Sequence, residues 1–240
     1  MSIIIPCHNC GSSIDKTLAS IRAQSFQDFE IYAVDDGSSD DTHSHLQRWQ
    51  DKFDHFQIFR LENNIGPGGA RNYGVDKARA HLIALIDSDD VWRPEKLAQQ
   101  VFIHQQPECV FSCTGFLFRQ RAIIPATVDY HSLLKHNQIN TSSVMFDRRS
   151  VSIKFASSCK SEDYIAWLEI ARSHRIHALQ EVLVERCDEE RLSQNKLGMA
   201  MQRWQIYREV EHLGWLESLY YFAHYAISGT LKHWRIPLHL

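Results

Sequence analysis

Between Met1 and Asp90, short apolar runs alternate with segments whose apolar residues recur at helical spacing, and this limits the folds open to the chain. Ile3-Ile4-Ile5 is a continuous apolar run, as expected of a strand covered on both faces of a parallel sheet. Ser12, with Asp15 three residues on, predicts a capping box opening a helix that carries Ile14, Leu18 and Ile21. Phe29 to Val34 predicts a second strand, and Leu46, Trp49 and Phe53 mark one face of a second helix. Phe56 to Leu61 predicts the third strand, after which the turn Gly66-Pro67-Gly68-Gly69 opens a helix from about Ala70 to Arg79. Leu82 to Ile86 predicts the fourth strand; Pro94 suits the first position of the next helix, with Glu95 beside its positive end. Parallel strands need helical crossovers, so the alternation predicts an α/β fold with a mostly parallel sheet flanked by helices.

The second half is less regular. Val110 to Phe118 predicts a strand and Ser143 to Phe146 a short one. Ser161 to His174 predicts a helix with Tyr164, Trp167, Leu168 and Ala171 on one face. A strand near Ala178 to Val184 precedes a helical stretch from about Ser193 to Leu213. With 240 residues, 44% of them apolar, the chain can enclose a full core, which excludes a disordered polypeptide. A net charge of -3 gives no global attraction to nucleic acid. No apolar run approaches the roughly 18 residues that span a bilayer. The start, Met1 to Pro6, lacks a basic leader and a long apolar region, which predicts a cytoplasmic protein whose six cysteines are reduced thiols.

Two acidic groups stand at predicted strand ends: Asp35-Asp36 after the second strand, and Asp87, Asp89 and Asp90 after the fourth. In an open α/β sheet, ligands bind in the crevice beyond the carboxyl ends of the strands. Clustered carboxylates repel one another, so a cation or hydrogen-bond donors should compensate. The Asp-x-Asp spacing of Asp87 and Asp89 suits Mg²⁺ or Mn²⁺ with substrate phosphates completing the shell. Asp40 and Asp41, by contrast, are expected to shape a turn or cap the second helix.

Three segments, Ile3-Ile4-Ile5-Pro6-x-x-Asn9, Val34-Asp35-Asp36-Gly37-Ser38-Ser39-Asp40 and Leu85-Ile86-Asp87-Ser88-Asp89-Asp90, stand in an order and spacing that resembles family 2 inverting glycosyltransferases of the GT-A fold. Asn64-x-Gly66-Pro67-Gly68-Gly69-Ala70-Arg71-Asn72-x-Gly74 strengthens the match, and Ser161-Glu162-Asp163 followed by Trp167 resembles the acceptor-side motif. The resemblance covers about residues 2–195. It implies a Rossmann-like catalytic domain over 1–195, with a nucleotide-sugar half (1–105) and an acceptor half (106–195), followed by a helical extension over 196–240.

The resemblance also implies roles. Pro6, His8, Asn9 and the Asp35-Asp36 pair would hold the base and ribose of a nucleotide-diphosphate sugar, a UDP-sugar being favoured, with Asp36 on the nucleobase. Arg71 would approach the nucleotide or diphosphate, and Ser88 would line the same donor site. Asp87 and Asp89 would bind Mn²⁺ or Mg²⁺, with Asp89 the direct ligand. Asp163 would be the general base and Glu162 its companion, and specificity would rest around Asn140 to Ser143 and Glu162. Arg186, Arg191 and Ser193 fall where the family has a loop that closes over the diphosphate. His8 departs from the family pattern, which often carries Tyr there. The acceptor would be a saccharide or lipid-linked saccharide in surface polysaccharide or lipopolysaccharide assembly.

From Trp204 onward the chain holds eight of its 26 aromatic residues. Leu216, Leu219, Ala223, Ile227 and Leu231 can line one helical face, broadened by Tyr220, Tyr221 and Tyr225. Such a helix suits peripheral contact with the inner face of the cell membrane, or it packs on the catalytic domain and finishes the core.

Other chemistries fit less of the chain. Cys7-x-x-Cys10 imitates a thioredoxin-like redox motif, and Cys109-x-x-x-Cys113 would have to be broken out of a strand to join it on zinc. Gly66-x-Gly68 lacks the third glycine of a dinucleotide fingerprint, Arg71 standing there instead. A sugar nucleotidyltransferase usually carries a basic glycine-rich loop after strand one, and Cys7 to Ser13 holds no Lys or Arg. A non-catalytic nucleotide-sugar-binding module would not need Asp87, Asp89 and Asp163 together.

Overall fold

The computed structural model describes residues 1–125, 127–156, 161–187 and 196–234. In chain order its elements are β1 (Ser2–Cys7), α1 (Ile14–Arg22), β2 (Glu30–Asp35), α2 (Thr42–Gln50), β3 (Phe56–Arg60), α3 (Gly66–Lys77), β4 (Leu82–Leu85), β5 (Val91–Trp92), α4 (Lys96–Ile103) and β6 (Phe111–Phe118). They continue with β7 (Arg121–Ile123), α5 (Tyr130–Lys135), β8 (Met145–Asp147), α6 (Glu162–Ser173), β9 (His177–Glu185), α7 (Lys196–Gln205) and α8 (Trp215–Trp234). A 3-10 turn, Thr141–Ser143, precedes β8, and a π-helical turn, Ile206–Val210, follows α7.

One sheet runs β3-β2-β1-β4-β8-β6-β9-β5, with β7 hairpinned to β6. The first four strands are parallel. β8 runs antiparallel between β4 and β6, and β5 closes the far edge antiparallel to β9.

Strand side chains alternate between faces, so each strand feeds two cores. On β1, Ile3 and Ile5 point to the layer that holds Ile14, Leu18, Leu46 and Leu97, from α1, α2 and α4. Ile4 points the other way, with Val75, Leu133 and Trp167 from α3, α5 and α6. β4 repeats the pattern, Ile83 and Leu85 against Ala84. All are fully or nearly fully buried, and each large aliphatic side chain so removed from water contributes about 1.5–3 kcal/mol.

Several local expectations are corrected. α3 starts at Gly66, not near Ala70, so the glycines form its first turn. That turn lies so close to α6 that a Cβ on Gly68 would come within 2.9 Å of Glu162 Cγ. Ser12 and Asp15 make no capping box: Ser13 is the N-cap residue, and Asp15 instead accepts from Trp49 Nε1 at 2.7 Å and pairs with His45 Nδ1 at 2.8 Å, tying α1 to α2. α4 begins at Lys96 with Glu95 as N-cap, because β5 pairing holds the chain extended through Trp92 and Arg93 N donates to Leu183 O. β5, β7 and α5 are not apparent in the pattern; strands of two or three residues exist only through their partners.

After β9 the helical extension ends before Leu213, at the π-helical turn, where Leu213 N donates to Tyr207 O. Its first residues, 193–195, lie outside the described residues. One face of the extension packs on α5: Tyr207 is fully buried with its hydroxyl on Leu134 O, and the Tyr221 hydroxyl meets His131 Nδ1 at 2.7 Å. The other face of α8 is exposed, with Leu216 at 83%, Leu219 at 53% and Ile227 at 55%.

Candidate active site at the strand ends

The carboxyl ends of β1, β2 and β4 open into a cavity of about 360 Å³. Pro6, His8, Asn9, Asp36, Arg71, Asp87, Ser88 and Asp89, eight of the predicted donor-site residues, line it together. β1 delivers Pro6 and the loop beyond it. His8 Nδ1 lies 2.8 Å from Asp36 O, a contact that requires Nδ1 to carry the proton, and Nε2 is then free to accept from Asn9 Nδ2 at 3.2 Å. Asn9 Oδ1 accepts from Ser39 N at 2.9 Å, joining this loop to the turn after β2.

Asp35 stands apart from these eight residues. Adjacent residues at a strand end face opposite ways. Asp36 lines the cavity and accepts from Ile65 N at 2.8 Å. Asp35 is fully buried behind it, accepting from Ser38 N at 3.0 Å and lying 3.3 Å from His43 Nδ1 and 3.8 Å from Arg60 Nε. It shapes the turn and has no surface toward the cavity. Asp40 also serves the turn, accepting from Gly11 N and Thr42 N, as expected.

Arg71, on α3, is buried and joins the two halves of the site. Nη2 donates to Asp87 Oδ1 at 2.6 Å and Nη1 to Glu162 Oε1 at 2.9 Å, while the guanidinium stands 5.5 Å from the Phe155 ring. The carboxylates of Asp87, Asp163 and Glu162 hold its charge against the cost of burial, raising its pKa. Burial pushes Glu162 above the ordinary carboxylate range even though Arg71 pulls it back. Asn72 braces the same helix, its amide bonding both Phe155 O at 2.7 Å and Phe155 N at 2.9 Å.

Glu162 and Asp163 form the first turn of α6, where the helix dipole favours negative charge. Asp163 Oδ1 accepts from Tyr164 N at 2.7 Å and Oδ2 from Thr141 Oγ1 at 3.2 Å. Thr141–Ser143 is thus a hub between the halves. Ser142 Oγ accepts from Asp87 N at 2.9 Å and donates to Asp90 Oδ2 at 2.5 Å.

Asp90 is the site residue that the sequence reading left without a role. Burial, and after it the neighbouring Asp87 and Asp89, push its pKa up to about 7. Its Oδ1 accepts from Cys187 N at 3.2 Å, anchoring the segment that leaves β9. The final Asp of Asp87-Ser88-Asp89-Asp90 was the signal available. Arg186 stacks 5.0 Å from the Phe118 ring and draws on Asp90 electrostatically, whereas Arg191 and Ser193 lie outside the described residues.

The model of the family described as "Glycosyl transferase family 2" matches residues 2–161 of the chain. The chain belongs to that family. This glycosyltransferase is 30% identical to the putative teichuronic acid biosynthesis glycosyltransferase TuaG of Bacillus subtilis, over 97% of this chain and 96% of the relative. It is also 30% identical to the UDP-Glc:alpha-D-GlcNAc-diphosphoundecaprenol beta-1,3-glucosyltransferase WfaP of Escherichia coli, over 97% and 95%. Among solved structures, S. aureus TarS 1-349 in complex with UDP-GlcNAc superposes with a TM-score of 0.73 at 20% identity, over 94% of this chain and 71% of that one. The mannosyltransferase PcManGT of Pyrobaculum calidifontis, in complex with GDP-Man and Mn²⁺, gives 0.69 at 17% identity, over 99% and 76%. At those identities the likeness concerns the fold: this family 2 glycosyltransferase has the GT-A architecture.

Proposed function

We propose that this glycosyltransferase is metal-dependent and inverting, and moves a sugar from a nucleotide-diphosphate sugar, a UDP-sugar being favoured, to a hydroxyl of a saccharide or lipid-linked saccharide in surface glycan assembly. The observation that carries the reading is the Arg71 bridge, which puts a carboxylate of the Asp-x-Asp element and one of the acceptor-side helix on the same guanidinium.

In this reading Asp36 and the His8-Asn9 loop hold the nucleoside. Asp87 and Asp89 hold Mn²⁺ or Mg²⁺. Asp87 and Asp89 line the cavity side by side, and a hard cation of this kind is bound by one or two carboxylates with substrate phosphates completing the shell. The negative charge of these two residues, which adds to the rise at Asp90, is what such a cation would offset. When bound, the cation stabilises the departing diphosphate as a Lewis acid.

Asp163 accepts the proton of the attacking hydroxyl. Its two bonds, from Thr141 Oγ1 and Tyr164 N, orient the carboxylate and leave lone pairs for that proton. Glu162, held by Arg71, positions the acceptor. Attack from the face opposite the leaving diphosphate inverts the anomeric carbon in one displacement. The exposed face of α8, with Trp215, Leu216, Leu219 and Tyr220, is suited to rest on the bilayer that carries a lipid-linked acceptor. The Escherichia coli relative named above acts, by its name, on a diphosphoundecaprenol-linked sugar.

The test is thermal stability with UDP, GDP, TDP and CDP, each with and without Mn²⁺. Ligand at roughly 100 times its Kd adds about 2.7 kcal/mol, which for a chain of this size raises Tm by about 5–11 °C. A Mn²⁺-dependent rise with UDP supports the reading; a folded sample that responds to none of the four overturns it.

A further inference from the structure

We propose that Gln100 and Lys96, buried on α4 outside the donor cavity, are positioning residues for the transfer: they hold the Thr141–Ser143 turn where its side chains set Asp87 and Asp163. The consequence for metal and nucleotide rests on the donor-site reading above; the positioning itself does not.

Lys96 and Gln100 stand four residues apart, on one face of α4, and both are fully buried. Helices ordinarily turn such side chains to water, and burying them is unfavourable unless their polar atoms find partners. Here they find each other and the turn. Gln100 Nε2 donates to Ser143 O at 3.0 Å and to Ser112 Oγ at 2.9 Å. Ser143 O can only accept, which fixes Nε2 on its side and leaves Oε1 for Lys96 Nζ, 2.6 Å away. Burial pulls the Lys96 pKa well below the ordinary lysine range, yet either form of the amine can donate to Oε1. Nζ also stands 4.0 Å from the centre of the Trp92 ring.

Trp92 completes the grip, its Nε1 donating to Ser142 O at 2.7 Å. The turn closes on itself through Asn140 O and Thr141 O, which accept from Ser143 N at 2.9 Å and Val144 N at 3.1 Å. Its next two carbonyls, Ser142 O and Ser143 O, are therefore held from outside, one by β5 and one by α4.

The side chains of the same turn reach the site. Ser142 Oγ accepts from Asp87 N at 2.9 Å, and Thr141 Oγ1 donates to Asp163 Oδ2 at 3.2 Å. One turn thus sets a carboxylate of the Asp-x-Asp element and the carboxylate opposite it. Neither Gln100 nor Lys96 lines the cavity, so both act only through the turn. Without the Gln100 amide, Ser143 O and Lys96 Nζ are buried without these partners, and the turn relieves that by moving. A displacement of about 1 Å at a positioning contact can slow a reaction about 10²-fold.

The experiment compares wild type with Q100E, Q100L and K96M, each as the full chain. Q100E is the discriminating variant: its carboxylate keeps the bond from Lys96, which favours folding, but offers no N–H to Ser143 O. Two amide resonances of the deuterated, ¹⁵N-labelled, nucleotide-free protein report on the two ends of the turn. They are Asp87 N–H, on Ser142 Oγ, and Tyr164 N–H, on Asp163 Oδ1. Both should move in Q100E and Q100L while amides of β3 stay in place. K96M retains both Gln100 donors but loses the bond that orients them, and should move the same two amides less. Calorimetry with UDP, with and without Mn²⁺, then reads the consequence on folded protein. Q100E should bind UDP with Mn²⁺ about 10-fold more weakly and UDP alone as wild type does, because Asp36 and the His8-Asn9 loop are held independently of the turn.

A folded Q100E whose Asp87 and Tyr164 amides stay at their wild-type positions overturns the positioning, since a merely structural role confines the changes to residues touching Gln100. Should Q100L fail to fold, Q100E and K96M still decide. Unmoved amides in K96M remove Lys96 from the proposal. Displaced amides with unchanged UDP affinity in Mn²⁺, or an equal loss with and without Mn²⁺, overturn the consequence for the donor site. A wild type that binds no UDP overturns the donor reading, while the two amides still decide the positioning.

Discussion

Replacing Arg71 by Met isolates the bridge on which the site is built. The residue is 5% exposed and donates to Glu162, itself 6% exposed, and to the more open Asp87. Met fills much of the arginine stem's volume, so the principal loss is the charge. Glu162 is left as a buried carboxylate without its cation, and breaking a buried pair from one side typically costs 3–5 kcal/mol, so we expect about that here. For a chain of this length that is a fall in Tm of roughly 6–20 °C. Asp87 adds little to the figure because water reaches it. The double variant R71M/E162Q removes the stranded charge and should recover at least about 2 kcal/mol of the loss, since neutral replacement of a whole buried pair is often nearly neutral.

The sign of the pH effect provides a second check. Glu162 has its pKa raised by burial, and without Arg71 it rises further, so its penalty is present at neutral pH and fades as pH falls toward the ordinary carboxylate range. Urea denaturation at pH 7 and pH 5 for wild type, R71M, E162Q and the double variant measures all of this, provided the m-value is unchanged. A cost for R71M below about 1 kcal/mol, or a double variant no more stable than R71M, would refute the argument that a buried ion bridge holds the two halves together.

Three further outcomes are expected. Asp163→Asn should keep the fold and the UDP shift while slowing sugar transfer about 10²–10⁴-fold; transfer at the parental rate in a product assay removes Asp163 as base. Burial pushes the His104 pKa down to about 4, so stability present above the unfolded value near 6.5 is lost as pH falls from 6.5 to 4. The loss attributable to His104 is at most about 3 kcal/mol, less solvent screening, and His104→Gln should flatten that part of the wild-type stability profile; an unchanged slope rules it out. On α8, L216S/L219S should abolish flotation of the protein with vesicles containing anionic lipid while leaving Tm within about 1 °C, because both side chains already face solvent. Wild-type protein that stays at the bottom of the gradient dismisses the bilayer contact.

Much of the fold was legible because its signals are local. Ile3-Ile4-Ile5 reads as a doubly covered strand from residue type alone, Phe29 to Val34 and Leu82 to Ile86 read as strands, and the acidic groups that follow those two could be located by counting. β5 and β7 were not legible: two or three residues carry no period, and only β9 and β6 make them strands. The start of α3 was misplaced because glycine has a low helix propensity, which here gives way to the need for close approach to Glu162.

The site divides in the same way. By itself the sequence determined the α/β class, the order of the motifs and which carboxylates stand at strand ends, because strand and helix periods are written in neighbouring residues. Tertiary structure alone decided that Asp36 faces the cavity while Asp35 lies behind it, and that Arg71 spans 91 positions of chain to reach Glu162. It also decided that α8 buries Tyr221 while exposing Leu216. Each of these is a matter of direction or distance between elements far apart in sequence, set by how whole layers pack and not by any local pattern.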